Sequence, residues 1–470
     1  MTNRRLALLV GVMTFHLFTG GDCTENCPTL AGCLIDLGLV SLSKGGAERA
    51  SAPPQATPGA GAAANPAPGD VLVIGGATTN RKKAVLEFFD PATRIFKNAG
   101  IAGGSSGFGA VEFDAGILSG QILVAGGAVG TAKISGKGVM TFAVSVPTTS
   151  QLYKLSSDSV TATGGLNDGR FFATTTLLSD GTVLIAGGFD KSGKPQASAE
   201  IYDPATGRFS LTGSMVSPRA LHTATLLADG AVLLVGGVND LTGHIYGTAE
   251  LYDPTHGRFT ATAGALPRGV AGHTATLLAT GKVLIAGGFN SVVLGAEAVY
   301  NTTNTSLLYT PASQQFVATG NMIDTPTMHS ATLLPNGDVL IAGGYSGAAY
   351  WEDESKLQGN VDSGVLDSAE IYSPATGTFA CINGATKVLT CKPSMANARA
   401  GHSATIFASG PLAGEVLLAG GMGAKASTVN RQNPPSALAS AELFDPVSNK
   451  FTATGSMVSQ HAFHSALLLH

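Results

Sequence analysis

The chain carries the phrase Val183-Leu184-Ile185-Ala186-Gly187-Gly188, four apolar residues closed by two glycines. Similar phrases recur along the 470 residues at intervals of roughly fifty residues. The seven copies are Val71–Gly76, Ile122–Gly127, Val183–Gly188, Val232–Gly237, Val283–Gly288, Val339–Gly344 and Val416–Gly421. One strand-like phrase repeated at this period predicts stacked repeat units rather than one large core.

The segment Ala199–Gly237 shows one repeat most clearly. Glu200–Pro204 reads as a short strand, and the Pro and Gly that follow predict a tight turn before a second strand at Phe209. His222–Leu227 is a third strand, rich in β-branched residues, and Val232–Gly237 is a fourth. Each repeat therefore predicts one antiparallel four-stranded sheet.

An aromatic residue lies near the end of the strand equivalent to Glu200–Pro204 in every repeat, and a Phe follows seven residues later in six of the seven repeats. This fixed spacing indicates packing between sheets rather than a ligand site. The last phrase, His464–Leu469, has no Val-Leu-x-x-Gly-Gly after it, whereas Val71–Gly76 has no third-strand phrase before it. Pairing the two would close a circle without open edges, which predicts an all-β, seven-bladed β-propeller of four-stranded blades.

The chain divides into three segments. Residues 1–22 read as a signal peptide, with Arg4-Arg5 before a short apolar run, and the signal extends to residue 32 in an alternative reading. Residues 33–69 form a tether rich in Ala, Pro and Gly, and residues 70–470 form the propeller. We expect an extracytoplasmic protein (secreted, periplasmic or lipid-anchored at the cell surface) without a transmembrane span in the mature chain.

The charge pattern argues against nucleic acid as a partner. The net charge is −4, only 12% of residues are charged, and lysines and arginines form no basic stripe. We expect a monomer that binds a glycan or protein partner at the cell envelope.

The five cysteines fall into two groups. Leu30-Ala31-Gly32-Cys33 resembles the lipobox of bacterial lipoproteins and makes Cys33 the candidate for lipidation, with Cys23 as the alternative. Cys381 and Cys391 flank an Asn-Gly turn signal, and export permits disulfides, so we expect a local bridge between them. A metal pair is the weaker reading, because no histidine lies nearby.

The phrases Glu-Ile-Tyr-Asp-Pro-Ala-Thr-Gly, His-Thr-Ala-Thr-Leu-Leu and Val-Leu-Ile-Ala-Gly-Gly resemble bacterial kelch repeats of the galactose oxidase central-domain type, over about residues 70–470. The resemblance implies four-stranded blades around a central channel. It does not extend to the copper site, because Phe463-His464-Ser465 has Phe where the family pattern has Tyr. No cofactor is therefore expected.

Two sets of repeated polar residues suggest chemistry. Arginines that stand shortly before the third-strand phrase, among them Arg219 and Arg399, could hold a carboxylate ligand or pair with the repeated glutamates. Histidines recur at one repeat position, where they could bind a metal or hydrogen-bond the backbone of a neighbouring blade. These histidines are His222, His273, His329, His402 and His464.

The spacers after the Gly-Gly phrases vary in length, and alternating strand directions place them all on one face. The spacer from Tyr345 to Ser368 contains the only tryptophan, Trp351, beside Tyr350 and close to Asp353. An exposed aromatic beside carboxylates suits sugar binding, although the same Trp could pin its own loop.

These observations predict an exported or surface-anchored recognition module that binds through the long-loop face. We expect a binding protein rather than an enzyme. One alternative is a carbohydrate-active enzyme, isomerase/epimerase or oxidase-like, with its site at the channel mouth and using Arg219 and His222. The other is a structural surface repeat protein.

Overall fold

The computed structural model describes residues 66–76, 85–101, 106–134, 140–157, 159–239, 244–294, 298–346, 364–384, 391–425 and 436–470. Within these ranges the chain is almost wholly β-strand, with one short 3-10 turn at Leu155–Ser157 and no α-helix. The all-β prediction is confirmed. No helix in these ranges is long and apolar enough to cross a membrane. The proposed signal peptide, both lipidation candidates and most of the tether lie outside the described residues.

Seven sheets share one strand order; six have four strands and the seventh has a fifth strand beside the same path. The first, named the terminal sheet, joins both ends of the described chain. Its strands, numbered first to fourth across the sheet, are β36 (Ser465–Leu468), β1 (Val71–Ile74), β2 (Val85–Asp90) and β3 (Ile95–Ile101). The strands of the other sheets are numbered in the same way, so the third and fourth strands of the sequence repeat are the first and second strands of a sheet.

The other six sheets, A to F, follow in chain order. Sheet A contains β4 (Ser106–Phe113), β5 (Gln121–Ile134), β7 (Ser150–Lys154) and β8 (Ser159–Thr163), with β6 (Met140–Ser145) beside β5. Sheet B contains β9 (Thr174–Leu177), β10 (Val183–Ala186), β11 (Ala199–Asp203) and β12 (Arg208–Leu211). Sheet C contains β13 (Thr223–Leu226), β14 (Val232–Val235), β15 (Ala249–Asp253) and β16 (Arg258–Ala261).

The last three sheets have the same plan. Sheet D contains β17 (Thr274–Leu277), β18 (Val283–Ala286), β21 (Ser306–Thr310) and β22 (Gln315–Ala318). Sheet E contains β23 (Ser330–Leu333), β24 (Val339–Ala342), β27 (Ala369–Ser373) and β28 (Thr378–Cys381). Sheet F contains β30 (Ser403–Ile406), β31 (Val416–Ala419), β34 (Ala441–Asp445) and β35 (Lys450–Ala453).

Small additional sheets extend the connections between second and third strands. Two of them are the pairs β19 (Phe289–Leu294) with β20 (Ala298–Thr302), and β25 (Tyr345–Ser346) with β26 (Gly364–Val365). The third joins β32 (Met422–Lys425) and β33 (Ser436–Ala437), in the connection after β31, to β29 (Asn397–Ala400), which lies in the linker before β30. Because each first strand is antiparallel to the second, these connections emerge at the end where the first strands begin. We call this end the long-loop face.

The Val-Leu-Ile-Ala phrase forms the second strand of each sheet and is buried on both faces, which explains its unbroken apolar character. The aromatic of the third strand lies opposite the Phe of the fourth, as in Tyr202 and Phe209 with ring centroids 4.9 Å apart. Tyr252 and Phe259 also pack against Leu184 of the preceding sheet. The repeated aromatics are therefore core residues, as predicted.

The two glycines that close the phrase lie in contact with two linkers. A Cβ on Gly187 would come within 2.4 Å of the Arg219 carbonyl oxygen, and one on Gly188 within 2.8 Å of the Phe171 carbonyl oxygen. Both have positive φ, and the N–H of Gly188 donates to the Arg219 carbonyl in the linker to the next sheet. The Gly-Gly pair thus joins neighbouring sheets where no side chain fits.

First strands of neighbouring sheets contact one another in the order β36, β4, β9, β13, β17, β23, β30 and back to β36. In the terminal sheet, β1 from the N-terminal side pairs antiparallel with β36 from the C-terminal side, with Val71 opposite Leu468 and Ile74 opposite Ser465. The N–H of Gly69 extends this pairing by donating to the Leu469 carbonyl.

Candidate functional site

The five repeated histidines each lie directly before a first strand and reach back to the preceding sheet. In each case Nε2 is hydrogen-bonded to the hydroxyl of the first residue of that sheet's first strand. The pairs are His222 with Thr174 at 3.2 Å, His273 with Thr223 at 2.9 Å, His329 with Thr274 at 3.0 Å, His402 with Ser330 at 2.9 Å and His464 with Ser403 at 2.8 Å. The partner is a side-chain hydroxyl, not the backbone that the sequence interpretation had proposed.

These imidazoles are held neutral. Burial lowers the pKa of His273 to about 3 and that of His329 to about 4. Burial also lowers the pKa of His222, His402 and His464 well below the ordinary value, and nearby cationic side chains lower it further. Each neutral ring uses its Nε2 in a hydrogen bond to a hydroxyl of the preceding sheet, so these histidines connect neighbouring sheets. The structure does not bring them together as a set of metal ligands.

Among the described residues, one group of three potential metal ligands lies close together, and it contains no histidine. It consists of Asp324, Glu370 and Cys391. The sulfur of Cys391 is in a disulfide with Cys381, with the two Cα atoms 5.4 Å apart. Each carboxylate already accepts backbone N–H groups.

Arg170, Arg219 and Arg399 are buried and form their bonds within their own sheets, whereas Arg268 is exposed. Arg219 has 0% exposed surface; its Nη1 donates to the Gly236 carbonyl at 2.7 Å and its Nη2 to Glu250 Oε1 at 2.6 Å. The side chain of Tyr246 stacks on this guanidinium at 5.1 Å. Arg399 is equally buried and makes the same two bonds, to the Gly420 carbonyl and to Glu442. Neither arginine is accessible to the carboxylate of an external ligand, so the structure does not support the predicted ligand-binding role of Arg219 and Arg399.

The glutamate in each of these pairs also holds the linker that precedes the first strand. Glu250 accepts the N–H of Val216 at 2.7 Å and that of Ser217 at 3.2 Å, in addition to the arginine. Arg170 with Glu200 and Arg399 with Glu442 repeat the arrangement. A buried guanidinium and carboxylate of this kind fix the linker, because removing either leaves an uncompensated charge.

Sheet E has the glutamate, but Pro326 stands at the position that arginine occupies in sheets B, C and F. Among the described residues, Glu370 accepts the N–H groups of Ile323 and Asp324, and no cationic side chain pairs with it. Burial, together with the neighbouring Asp324 carboxylate and against the two N–H donors, raises the pKa of Glu370 to about 7. Burial likewise raises the pKa of Asp324. In sheet D both members are apolar, Val270 and Leu307, so no charge is buried there.

One backbone position near the start of the first strand recurs in all seven sheets, at the long-loop face. We call the seven residues at this position the mouth ring: Gly107, Phe172, Leu221, Gly272, Met328, Gly401 and Phe463. All seven have φ between 51° and 66°, in the left-handed region. Four of them are bulky apolar residues, for which this conformation is strained.

Hydrogen bonds between sheets hold the mouth ring. In five of the seven members the N–H donates to the carbonyl of the member before it, as in Met328 to Gly272 at 3.1 Å and Phe463 to Gly401 at 2.9 Å; no such bond joins Leu221 to Phe172. The rings of Phe172 and Phe463 approach to 6.4 Å edge to face. The side chain of Phe463 lies over Gly401, where a Cβ would come within 2.6 Å of the ring. All four bulky members are partly exposed.

The remaining predicted binding residues lie in the connection after β24. Tyr345 is 8% exposed and pairs with Val365 across β25 and β26, so its ring is largely buried. Tyr350, Trp351 and Asp353 lie outside the described residues. The root of this connection is fixed, since the Ser368 hydroxyl donates to Asp324 at 2.6 Å.

The sequence interpretation missed the mouth ring and the hydroxyl partners of the histidines. A signal for the second was present, because each of the five histidines is followed by Ser or Thr, the residue that binds the next histidine in four of the five cases. For the ring only position was a signal, because five of its members stand directly before the repeated histidines, while Gly, Phe, Leu and Met share no side-chain chemistry.

Comparison with known proteins places the kelch signal in sheet B. A family profile described as the Kelch motif matches residues 170–216. No curated protein matches the chain in sequence at a significant level. Among solved structures, one titled "Structure of YjhT" is similar, with 13% sequence identity, a TM-score of 0.45, and coverage of 63% of this chain and 90% of that chain. The chain thus contains a Kelch motif within an all-β array of antiparallel four-stranded sheets.

Proposed function

We propose that the protein is an exported or surface-anchored recognition module, built as a closed, seven-bladed kelch propeller, which binds a glycan or protein partner through its long-loop face. The seven sheets with one strand order, the pairing of β1 with β36 and the cyclic contacts of the first strands support the closed ring. Export rests on the arginines and apolar run at the N-terminus, and lipidation on Cys33.

The mouth ring is the main observation in favour of the long-loop face as the binding surface. Four bulky apolar residues are held partly exposed in strained backbone conformations, each costing about 1–2 kcal/mol relative to a right-handed residue. Strain of this kind concentrates at sites of function. The long connections leave the same face, which gives a partner both a central apolar surface and variable loops around it.

The connection after β24 supplies the proposed ligand contacts. Trp351 with Tyr350 would stack on a sugar ring, and Asp353 would accept hydrogen bonds from its hydroxyls. The fixed root at Ser368 and Asp324 anchors this connection to sheet E. A protein partner would use the same face through the mouth ring.

The described residues give less support to the alternative function, a carbohydrate-active enzyme. It required Arg219 and His222 at the channel mouth, but Arg219 is paired with Glu250 and His222 with Thr174. A base that is neutral because of burial, and whose Nε2 is already hydrogen-bonded, is poorly placed to reach a substrate.

A glycan-array screen of the purified chain tests the proposal. Trp351→Ala removes the proposed stacking residue, and Leu221→Gly removes an apolar side chain from the mouth ring while keeping the residue type that three sister positions use. Ile117→Ala is the control, because this exposed side chain lies in the turn between β4 and β5 at the opposite face.

Selective binding that is lost in Trp351→Ala, weakened in Leu221→Gly and retained in Ile117→Ala would support glycan recognition at the long-loop face. Absence of binding by the wild-type chain would overturn the glycan partner and leave a protein as the ligand to test. Turnover of a bound glycan by the purified chain would favour the enzyme instead.

A further inference from the structure

The terminal sheet replaces the buried arginine with a histidine. His461 occupies the position of Arg170, Arg219 and Arg399, and it contacts the same two acceptors. Its Nδ1 lies 2.7 Å from the carbonyl of Gly75, the first glycine of the Gly-Gly pair, and its Nε2 lies 3.0 Å from Glu87 Oε1. The imidazole is completely buried, as is Glu87.

The hydrogen bonds of His461 require a proton on both ring nitrogens. A carbonyl oxygen can only accept, so Nδ1 must donate to Gly75. The Ser459 hydroxyl, 2.7 Å from Nε2, donates to Glu87 Oε1 at 2.6 Å, so that hydroxyl and the carboxylate both present acceptors to Nε2. Only the imidazolium satisfies both sides, and it supplies the positive charge that the guanidinium supplies elsewhere.

We propose that His461 is a protonated latch that joins the two ends of the chain, and that loss of its proton loosens the terminal sheet. Glu87 belongs to β2 near the N-terminal end, whereas His461 and the linker that Glu87 holds come from the C-terminal end. Glu87 accepts the N–H groups of Val458 and Ser459 in that linker. The latch rests on the closed ring proposed above and adds its regulation by pH.

The charged and titratable groups that face His461 are few among the described residues. Glu87 is its direct partner, and His464 lies with its ring centroid 5.7 Å away. The pKa of His464 is lowered first by burial and then by the charges on His461 and Arg399, so His464 stays neutral and supplies no competing charge. Arg399 is itself neutralised by Glu442.

The direction of the pH effect follows from this pairing. When the terminal sheet opens, the side chain of His461 becomes solvated, and a solvated imidazole loses its proton as the pH rises through about 6.5. Above that pH the opened state has lost its proton, whereas the closed state must keep it or leave Glu87 buried beside a neutral ring. Opening is therefore favoured as pH rises. Sheets B, C and F have arginine at this position and lack the effect.

Hydrogen exchange of the full chain at pH 6.0, 7.5 and 9.0 tests the latch, with rates corrected for the intrinsic pH dependence of amide exchange. We expect protection of β1 and β36 to fall by up to about tenfold per pH unit above pH 6.5, while protection of β10 and β14 stays constant. His461→Arg introduces the cation that sheets B, C and F have at this position and should abolish the loss of protection at high pH.

Arg399→His is the matched variant, and it should transfer the same pH dependence to sheet F. Equal protection of β1 and β36 at all three pH values in the wild type, or an undiminished fall in His461→Arg, would overturn the latch. Absence of protection in β1 at every pH would instead refute the closed ring, so the two failures are distinguishable.

Discussion

Acidification from pH 7 to pH 5 should destabilise this protein far more than its net charge suggests. The five inter-sheet histidines are neutral in the folded chain, and burial holds the pKa of His273 at about 3 and that of His329 at about 4. In the unfolded chain each has a pKa near 6.5. The unfolded state therefore binds more protons than the folded state below about pH 6.5, and the free energy of unfolding decreases as the pH is lowered.

The magnitude can be worked out from these pKa shifts. Protonation of one unfolded histidine between pH 7 and pH 5 lowers the free energy of unfolding by about 2 kcal/mol, and five together by roughly 10 kcal/mol. Glu370 acts in the opposite direction, because its pKa of about 7 lies above the ordinary value. It returns about 2 kcal/mol, and the raised pKa values of Asp324 and Asp367 act in the same direction, which leaves a net loss of several kcal/mol. A typical domain has 5–15 kcal/mol in all, so the chain should approach unfolding near pH 5.

Urea unfolding at pH 7, 6 and 5, followed by circular dichroism, measures this loss. His329→Gln keeps a polar group within reach of Thr274 but cannot take up a proton, so the slope of stability against pH should fall by about one proton, or 1.4 kcal/mol per pH unit. A stability at pH 5 within about 2 kcal/mol of that at pH 7 would refute the reasoning. An unchanged slope in His329→Gln would do the same.

Of three further predictions, the first two use the equivalent position of another sheet as their control. Glu370→Gln should stabilise the chain at pH 8 by on the order of 2 kcal/mol, because it removes a buried charge without a cation. Glu250→Gln should instead lower the free energy of unfolding by about 3 kcal/mol, because it leaves the buried guanidinium of Arg219 without its counter-charge. Urea unfolding of both variants measures the two effects. Tyr252→Phe should cost about 1 kcal/mol, since its hydroxyl binds Thr212 at 2.9 Å in the preceding sheet. Tyr309→Phe should cost nothing, because that buried hydroxyl has no hydrogen-bond partner among the described residues; equal losses in thermal unfolding would contradict this. Reduction of the disulfide, whose cysteines are separated by 10 residues, should lower stability by about 3 kcal/mol in calorimetry, and an unchanged midpoint would count against a constraint on the unfolded chain.

The local architecture was predictable because it depends on short-range patterns. Four buried apolar residues followed by two glycines define the second strand, and a Tyr seven residues before a Phe defines the third and fourth across a tight turn. Each of these features spans a few residues and repeats several times, so chance matches are easily excluded. The all-β architecture followed from them.

The roles of the polar residues could not be read in the same way. The sequence determined that histidines, arginines and glutamates recur at fixed positions, but left open whether they bind a ligand or one another. Only the tertiary structure decided this, because each partner lies across a sheet or between sheets: Arg219 and Glu250 are 31 residues apart, and His461 and Glu87 are 374 apart. Burial then fixed their charges, since desolvation depends on every neighbouring sheet and leaves no local trace in the sequence.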